Sequence, residues 1–524
     1  MLRKAVLRKA VLRKAVLGRS VRLSALVVGI LLVSGCTWSL FPSAENSSAP
    51  TGESVRSAEA PYYQQTLSWK NCGKSQQCAV ATVPMDWDHP SKETDISLAL
   101  TRATATGTRL GSLFVNPGGP GASGYDLVHD NLDYAASTTL QKSYDVIGWD
   151  PRGVGRSSPV TCFDAKRLDK FIYGVAKNPV NSPAWVAEVT EQSKQFAASC
   201  LTNTGPLLQF VDTQSTVHDL DMLRAVVGDR KLNYLGYSYG SDIGMYYTDR
   251  FPKKVGHVVL DGSTDSTLST FAISLTQSTG FEQALKAYLA DCPATKNCPF
   301  PGSVDDSLAK ISALYDRLTT TPIDAPDGRA LDQNLLDTAI NSGLYDKSSW
   351  PYLSDMFNEI KKGTTATAFL LADSYNGRNS DGTYKDNSLE AFIAIGCLDY
   401  PTVTDPAVIG SESAQLVQAA PTLTRPSVIG NVTCENWPFH NRVAPPVVSG
   451  AGAAPVLILS STGDPATPYQ WGVALSKQLK SAHLVTRRGE GHTAYNRGIP
   501  CIDNTVDRYF VSGTIPKSDP ECTG

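Results

Sequence analysis

The sequence predicts an α/β fold: a mostly parallel β-sheet covered on both faces by helices, with a mostly helical unit inserted into it. Three observations predict it. Short apolar runs at 96–100, 112–115, 145–149, 233–235, 258–260 and 456–459 have the length of buried strands. Helical patterns lie between many of them: Val217, Leu220, Leu223 and Val227 recur at three- and four-residue spacing across 215–227, and 243–251 is similar. Strands that alternate with helices imply crossovers and a parallel sheet. From 263 to 388 the character changes, because amphipathic stretches at 281–289, 304–318 and 331–344 dominate and no clear strand run occurs. The expected order is therefore a core at 62–262, a helical cap at 263–388, and a resumed core at 389–524.

Composition excludes several classes of function. The chain has 524 residues, 41% hydrophobic and 19% charged, with a formal net charge of −3. That apolar share with so little net charge suits a chain that buries a core and does not suit disorder. The balance of 47 Lys+Arg against 50 Asp+Glu leaves no basic surplus for nucleic acid. Only one continuous apolar run exists, near the N-terminus, so a bundle of membrane spans is also excluded.

The N-terminus reads as an address. Residues 2–16 repeat Leu-Arg-Lys-Ala-Val three times, and the first 22 residues hold three Lys, five Arg and no acid. The eleven residues 23–33 are then apolar apart from Ser24 and Gly29. That is short of the roughly 20 needed to span a bilayer and typical of a secretory signal. The run ends in Leu32-Val33-Ser34-Gly35-Cys36, which resembles a bacterial lipobox. Residues 1–35 are expected to be removed, Cys36 to be lipidated, and the Ser/Ala/Glu/Pro-rich segment 36–61 to form a flexible tether. Loss of 35 residues carrying eight positive charges and no acid leaves 489 residues with a formal charge of −11. Attachment to the outer face of the cell membrane then relies on lipid rather than on basic residues.

Ten cysteines remain after Cys36, and an even number in an exported chain suggests disulfides. Nearest-neighbour pairing gives Cys72–Cys78, Cys162–Cys200, Cys292–Cys298, Cys397–Cys434 and Cys501–Cys522. No Cys-x-x-Cys pair and no Cys/His cluster with zinc spacing occurs, so no metal site is expected.

The chemistry centres on Gly236-Tyr237-Ser238-Tyr239-Gly240, a G-x-S-x-G motif with a strand pattern before it and a helix pattern after it. A tight strand-to-helix turn of this kind lifts a serine hydroxyl to the top of the sheet as a nucleophile. Such a serine needs a base, and the base an orienting acid. Of the downstream histidines, His257 and His483 adjoin strand patterns. His492 lies in the glycine-flanked Gly489-Glu490-Gly491-His492-Thr493 and is the expected base, with His440 as the alternative. Asp464, in the turn after the run 456–459, is the expected acid, and Asp261 is its competitor. The oxyanion formed during acyl transfer needs two backbone N–H donors. Tyr239 is one, and Gly118 or Gly119 of Asn116-Pro117-Gly118-Gly119-Pro120-Gly121 is the other. That loop lacks the Lys and Ser/Thr of a phosphate-binding loop.

These motifs, with Asp-Pro-Arg-Gly-Val-Gly-Arg-Ser at 150–157, Gly-Asp-Pro-Ala-Thr-Pro at 463–468, Ala-Ile-Gly-Cys-Leu-Asp at 394–399 and Cys-Glu-Asn-Trp-Pro at 434–438, carry a family resemblance. Over roughly residues 62–520 the chain resembles the secreted actinobacterial tripeptidyl aminopeptidases, relatives of the proline iminopeptidases in the α/β-hydrolase superfamily. Pro117 stands where proline iminopeptidases carry a His, which favours the tripeptidyl branch. The resemblance implies an exopeptidase that removes short peptides from free N-termini beneath a helical cap, without metal or organic cofactor. Asp399 and Glu435 are candidates for holding the substrate ammonium, and Arg152 is expected to brace loops through ion pairs. Two alternatives remain at this stage: a carboxylesterase or lipase with the same triad, and a non-catalytic surface lipoprotein.

Overall fold

The structure, a computed structural model, describes residues 46–440 and 446–523. The expected signal peptide, Cys36 and the first residues of the expected tether lie outside them. Thirteen strands are described in chain order: β1 (Asn46–Ser47), β2 (Ser68–Gly73), β3 (Gln76–Pro84), β4 (Asp95–Ala103), β5 (Gly111–Asn116), β6 (Tyr144–Trp149), β7 (Leu232–Tyr237), β8 (Val255–Asp261), β9 (Ile323–Asp324), β10 (Ala330–Leu331), β11 (Val456–Gly463), β12 (Ala482–Glu490) and β13 (Glu521–Thr523). All but β9 and β10 form one sheet in the order β1-β2-β3-β4-β6-β5-β7-β8-β11-β12-β13. Pairing is antiparallel from β1 through β4 to β6, and parallel from β6 to β13.

Both faces of the parallel part are buried, which is why its strands read as continuous apolar runs. Alternate residues go to opposite faces. Tyr234, Val456 and Ile458 join the cluster formed with Val217, Leu220, Ile243 and Leu475. Leu235, Leu457 and Leu459 join Val128, Leu140, Val506 and Tyr509 on the other side. With both faces covered, only the strand ends remain available for chemistry. The register aligns them, since Asn116 pairs with Gly236, Tyr237 with Asp261, Leu459 with Asp261, and Gly463 with Glu490. The loops carrying residues 117–121, 238, 464 and 492 thereby leave one edge of the sheet. The chain after β5 goes to β6 on one side, and β7 lies on the other, so this edge includes a topological switch point where α/β folds bind ligands.

The helices Thr270–Asp291, Val304–Thr320, Gln333–Leu344, Trp350–Lys361 and Ala366–Asn376 close around a separate apolar cluster that includes Leu285, Ile311, Leu336, Ile340, Leu353 and Phe357. The short β9–β10 hairpin belongs to this stretch of chain. The helix Ser388–Asp399 turns instead to the sheet, where Ala391, Ala394, Ile395 and Leu398 join the larger cluster. Among the described residues no sheet strand follows until β11, so the helices after 389 prolong the helical interruption beyond the expected stretch. A second helical stretch, with helices Ala165–Tyr173 and Pro183–Thr204, stands between β6 and the helix Thr213–Val226. Its Tyr173 contributes to the cap's cluster.

The expected flexible tether is corrected over residues 46–61. Asn46 and Ser47 pair with β2, and Thr51 N–H donates to the Ala225 carbonyl at 2.9 Å. Glu53 accepts from Arg224 at 2.8 Å and from Lys254 at 2.7 Å, and both cations also reach Asp221. Composition measures how little apolar surface this segment can bury; its order comes from ion pairs and strand pairing. The five disulfides join the nearest-neighbour pairs, and Cys397–Cys434 ties the sheet-packed helix to the short helix Val432–Glu435.

Arg152 is fully buried and forks onto Asp219 at 2.7 and 2.6 Å. Its remaining donors reach the carbonyls of Pro84, Met85 and Phe210. It thus closes the loop after β6 against the end of β3 and the entry to the helix Thr213–Val226. Removing one member of such a pair leaves an uncompensated buried charge, which costs about 3–5 kcal/mol. Arg152→Met should lower the midpoint of urea unfolding accordingly, and Arg152→Met combined with Asp219→Leu should be less damaging than Arg152→Met alone.

Candidate active site

Ser238 links β7 to the helix Tyr239–Arg250 with φ +55° and ψ −129°. A non-glycine residue held there costs about 1–3 kcal/mol and persists only where its surroundings fix it. Here Ser238 N–H donates to the Asp261 carbonyl at 2.8 Å, and Ser241 N–H donates to the Ser238 carbonyl at 2.7 Å. Strand and helix pass so closely that a Cβ on Gly236 would lie 2.3 Å from the Gly240 carbonyl oxygen. A Cβ on Gly240 would lie 2.6 Å from the Asn116 carbonyl oxygen, so both glycines of the motif are sterically required.

Asp464 follows β11 and is 4% exposed. Its carboxylate accepts from the N–H groups of Ala466 (3.0 Å), Thr467 (2.9 Å) and Thr493 (3.2 Å), and from the Thr467 hydroxyl (2.9 Å). Both carboxylate oxygens also lie 2.9 Å from His492 Nδ1. That contact fixes the proton on Nδ1 and leaves Nε2 as the basic nitrogen. Nε2 is buried and has no protein partner, Ser238 Oγ included. Such bonds are commonly long before substrate arrives and tighten in the complex. The imidazole nevertheless lies at the nucleophile's strand end: a Cβ on Gly262, next to the Asp261 that holds Ser238 N–H, would stand 3.2 Å from His492 Cε1.

The competing residues have other duties. Asp261 accepts N–H donors from Ala494 (2.9 Å) and Tyr495 (2.8 Å), so it anchors the loop after His492 without bonding the imidazole. Burial pushes its carboxyl up to about 6, opposed by those N–H groups. His257 packs edge-on against Tyr509 and Phe510, and His483 is paired within β12.

The glycine loop after β5 reaches the nucleophile. A Cβ on Gly118 would lie 2.5 Å from the Tyr237 carbonyl oxygen, 2.8 Å from Tyr239 N and 3.0 Å from Ser238 Cβ. Gly118 N–H itself is spent on Asn116 Oδ1 at 2.9 Å. Of the two candidate donors, the Gly118 N–H is therefore already bonded and Gly119 is the one for which no such bond is seen among the described residues.

Beside the helix that follows Ser238 opens a cavity of about 580 Å3, with Asp212, Thr213, Asp242, Asp399 and His440 among its walls. No triad residue is among its walls, and Thr213 connects it to Tyr239, the residue after Ser238. Its hydroxyl and N–H both donate to Asp399, and the same hydroxyl meets the Tyr239 phenol. Burial pushes Asp399 up to about 7, against hydrogen bonds from Thr213. Burial likewise pushes Asp242 up to about 7, against those from Thr264. Glu435 is exposed and lies outside the cavity walls, so of the two ammonium candidates only Asp399 faces this space.

Comparison with known proteins fits this geometry. A family model described as TAP-like protein matches residues 420–522. Serine protease Hip1 of Mycobacterium tuberculosis is 34% identical over 493 residues, which span 90% of this chain and 93% of that protein. Tripeptidyl aminopeptidase of Streptomyces lividans is 30% identical over 472 residues, 87% of this chain and 86% of that one. The chain belongs to the tripeptidyl aminopeptidase-like family of α/β-hydrolases. A protein of M. tuberculosis named carboxylesterase B is 36% identical over 516 residues, 95% of this chain and 98% of its own. As a member of this family the protein is a serine hydrolase.

Several residues of this tripeptidyl aminopeptidase-like site escaped sequence reasoning. Thr467 bonds both Asp464 and, at 3.2 Å, His492 Nδ1; its place three residues after Asp464 in Gly-Asp-Pro-Ala-Thr-Pro was a usable signal, because Asp side chains commonly accept from N–H groups two and three residues on. Asp212 and Asp242 stand just before the helical patterns at 215–227 and 243–251, and those patterns did not single them out. The loop geometry makes one prediction: Gly118→Ala should lower kcat by on the order of 10²-fold, because its Cβ displaces the oxyanion loop. Far-ultraviolet circular dichroism should stay unchanged.

Proposed function

We propose that the protein is an exported serine exopeptidase that releases short peptides, tripeptides foremost, from free N-termini. Ser238 Oγ attacks the scissile carbonyl carbon while His492 Nε2 takes its proton. Tyr239 and Gly119 N–H groups stabilise the oxyanion. The tetrahedral intermediate then expels the amine, which receives the proton from His492, and leaves an acyl-enzyme. Water, deprotonated by the same imidazole, attacks the ester and releases the N-terminal fragment with a new carboxylate. Asp464 holds the Nδ1–H tautomer and stabilises the imidazolium throughout. The names of the Hip1 and Streptomyces relatives support peptide substrates.

The observation that carries the exopeptidase reading is the cavity: Asp212, Asp242 and Asp399 on its walls, linked through Thr213 to Tyr239 beside the nucleophile. A carboxylate-lined cavity suits an α-ammonium group, and its limited volume restricts how much peptide precedes the cut bond. Within this reading the cap formed by the helices from Thr270 to Asn376 excludes folded proteins. Among the described residues no helix is long and apolar enough to cross a membrane. Attachment through lipidated Cys36 is part of the proposal, and Cys36→Ala should move the protein from the membrane fraction to the medium.

The relative named carboxylesterase B favours a second reading, ester hydrolysis by the same triad. The two are separated by kcat/KM on tripeptidyl anilides and on neutral acyl esters. Acetylating the peptide's amino group should cut kcat/KM by at least about 10²-fold, because a desolvated carboxylate loses its partner; indifference to acetylation would support the esterase. Ser238→Ala should abolish both turnover and labelling by a fluorophosphonate; a protein that never labels would be a non-catalytic surface protein.

The pH dependence follows from the acids of the cavity. Asp242 and Asp399, raised to about 7, become carboxylates only as pH rises through that value. A peptide α-amino group loses its proton above about 7.7–8.0. KM for free-amino substrates should therefore be lowest between these limits and rise on both sides. Asp399→Asn should raise KM throughout and flatten the acid limb.

A further inference from the structure

We propose that Tyr345 is a positioning residue for His492, carried on the cap, so that seating the cap and aiming the imidazole are one event. The proposal rests on the reading of His492 as the base. Asp464 secures one edge of the ring, but a contact at Nδ1 alone leaves the ring free to tilt about that bond. Thr467 adds a hydroxyl contact on that same edge, and further restraints come from the cap. His492 N–H donates to the Tyr345 carbonyl at 2.8 Å. The Tyr345 ring stands against the imidazole at 83° with centroids 5.5 Å apart. Among the described residues it is the one aromatic ring in contact with His492. Gly491, at φ +109°, brings the loop close enough that a Cβ there would stand 3.4 Å from the Tyr345 oxygen.

The other surroundings of Tyr345 belong to the cap. It follows the helix Gln333–Leu344, and its ring packs on Phe281 at 5.5 Å and Tyr375 at 6.1 Å. One residue therefore joins the cap's aromatic cluster to the loop of the base by a main-chain hydrogen bond and a ring contact. If the cap shifts, both restraints on His492 go together. Nε2 of the imidazole beside that ring is buried without a partner. Water admitted there would compete with Ser238 for the lone pair.

The test uses the full chain with Tyr345→Ala, Tyr345→Leu, Tyr345→Phe and Phe281→Ala, read by tripeptidyl-anilide kinetics and by the second-order rate at which a small fluorophosphonate labels Ser238. Misplacing a catalytic group by about 1 Å costs on the order of 10²-fold. Tyr345→Ala and Tyr345→Leu should lose about that factor in kcat with little change in KM, and should slow labelling in proportion. Leucine keeps the bulk of the cap cluster, so it reports even if the alanine variant does not fold. Tyr345→Phe should restore both readouts, and Phe281→Ala, which touches Tyr345 but not His492, should label at nearly the wild-type rate. The proposal is overturned if the leucine variant labels like wild type, if its loss lies in KM alone, or if Phe281→Ala matches it. A wild-type chain that labels elsewhere than Ser238, or not at all, would instead remove the triad reading on which this rests.

Discussion

A carboxylate taken out of water survives only where protein donors replace the water. At Asp464 that requirement organises the site. Its donors come from the turn after β11 and from the loop after β12, so satisfying one charge ties two strand ends together and leaves the imidazole as the group that projects. Asp261, one strand over, does the companion task. Its carboxylate holds the N–H groups of Ala494 and Tyr495, while its carbonyl holds Ser238 N–H. Asp261 thus bonds Ser238 directly and the chain two residues beyond His492, although of the two acids only Asp464 touches the ring. The two acids are not interchangeable, because one sets a tautomer and the other a loop.

The parallel core was legible because its constraint is written residue by residue. Strands buried on two faces must be apolar throughout, and a strained serine flanked by obligatory glycines leaves a motif. Arg152 was legible as a brace for a similar reason: a guanidinium between glycines and prolines at a strand end has to find a partner. The ordered segment 46–61 was not. Its polar composition denies it an apolar core, but Glu53 is held by Arg224 and Lys254 from distant stretches of chain, and no local pattern encodes that. The helices at 165–204 and the helical run after 389 were also missed, because amphipathic periodicity identifies a helix without saying which layer it joins. Tyr345 had no signal at all, since its role depends on where a cap helix happens to stop.

The relatives sharpen what the triad cannot decide. Proteins named for peptidase and for esterase activity resemble this chain to a similar degree, 34% and 36% identity. Acyl transfer to serine uses the same nucleophile, base and oxyanion donors for either leaving group. Substrate class must therefore reside where the chain departs from the minimal machinery, in the cavity beside the nucleophile helix and in the cap above it. Under the proposed function, loops at one sheet edge supply the reaction and inserted helices supply the selection.

On the proposed exopeptidase reading, the acids of the cavity give that selection a thermodynamic form. Three ionised carboxylates facing one cavity would repel one another and forfeit hydration. Burial answers this by raising Asp242 and Asp399 to about 7, so near neutrality the empty site holds part of its charge as protons. An entering ammonium reverses the balance. It favours the ionised form, so its binding expels protons from the site and exchanges a stored cost for an ion pair. A neutral or acetylated end offers no such exchange and meets a cavity that stays protonated. In the proposed exopeptidase, selectivity for a free N-terminus is then the difference between two protonation states of the same wall, without a contact that a blocked peptide could borrow.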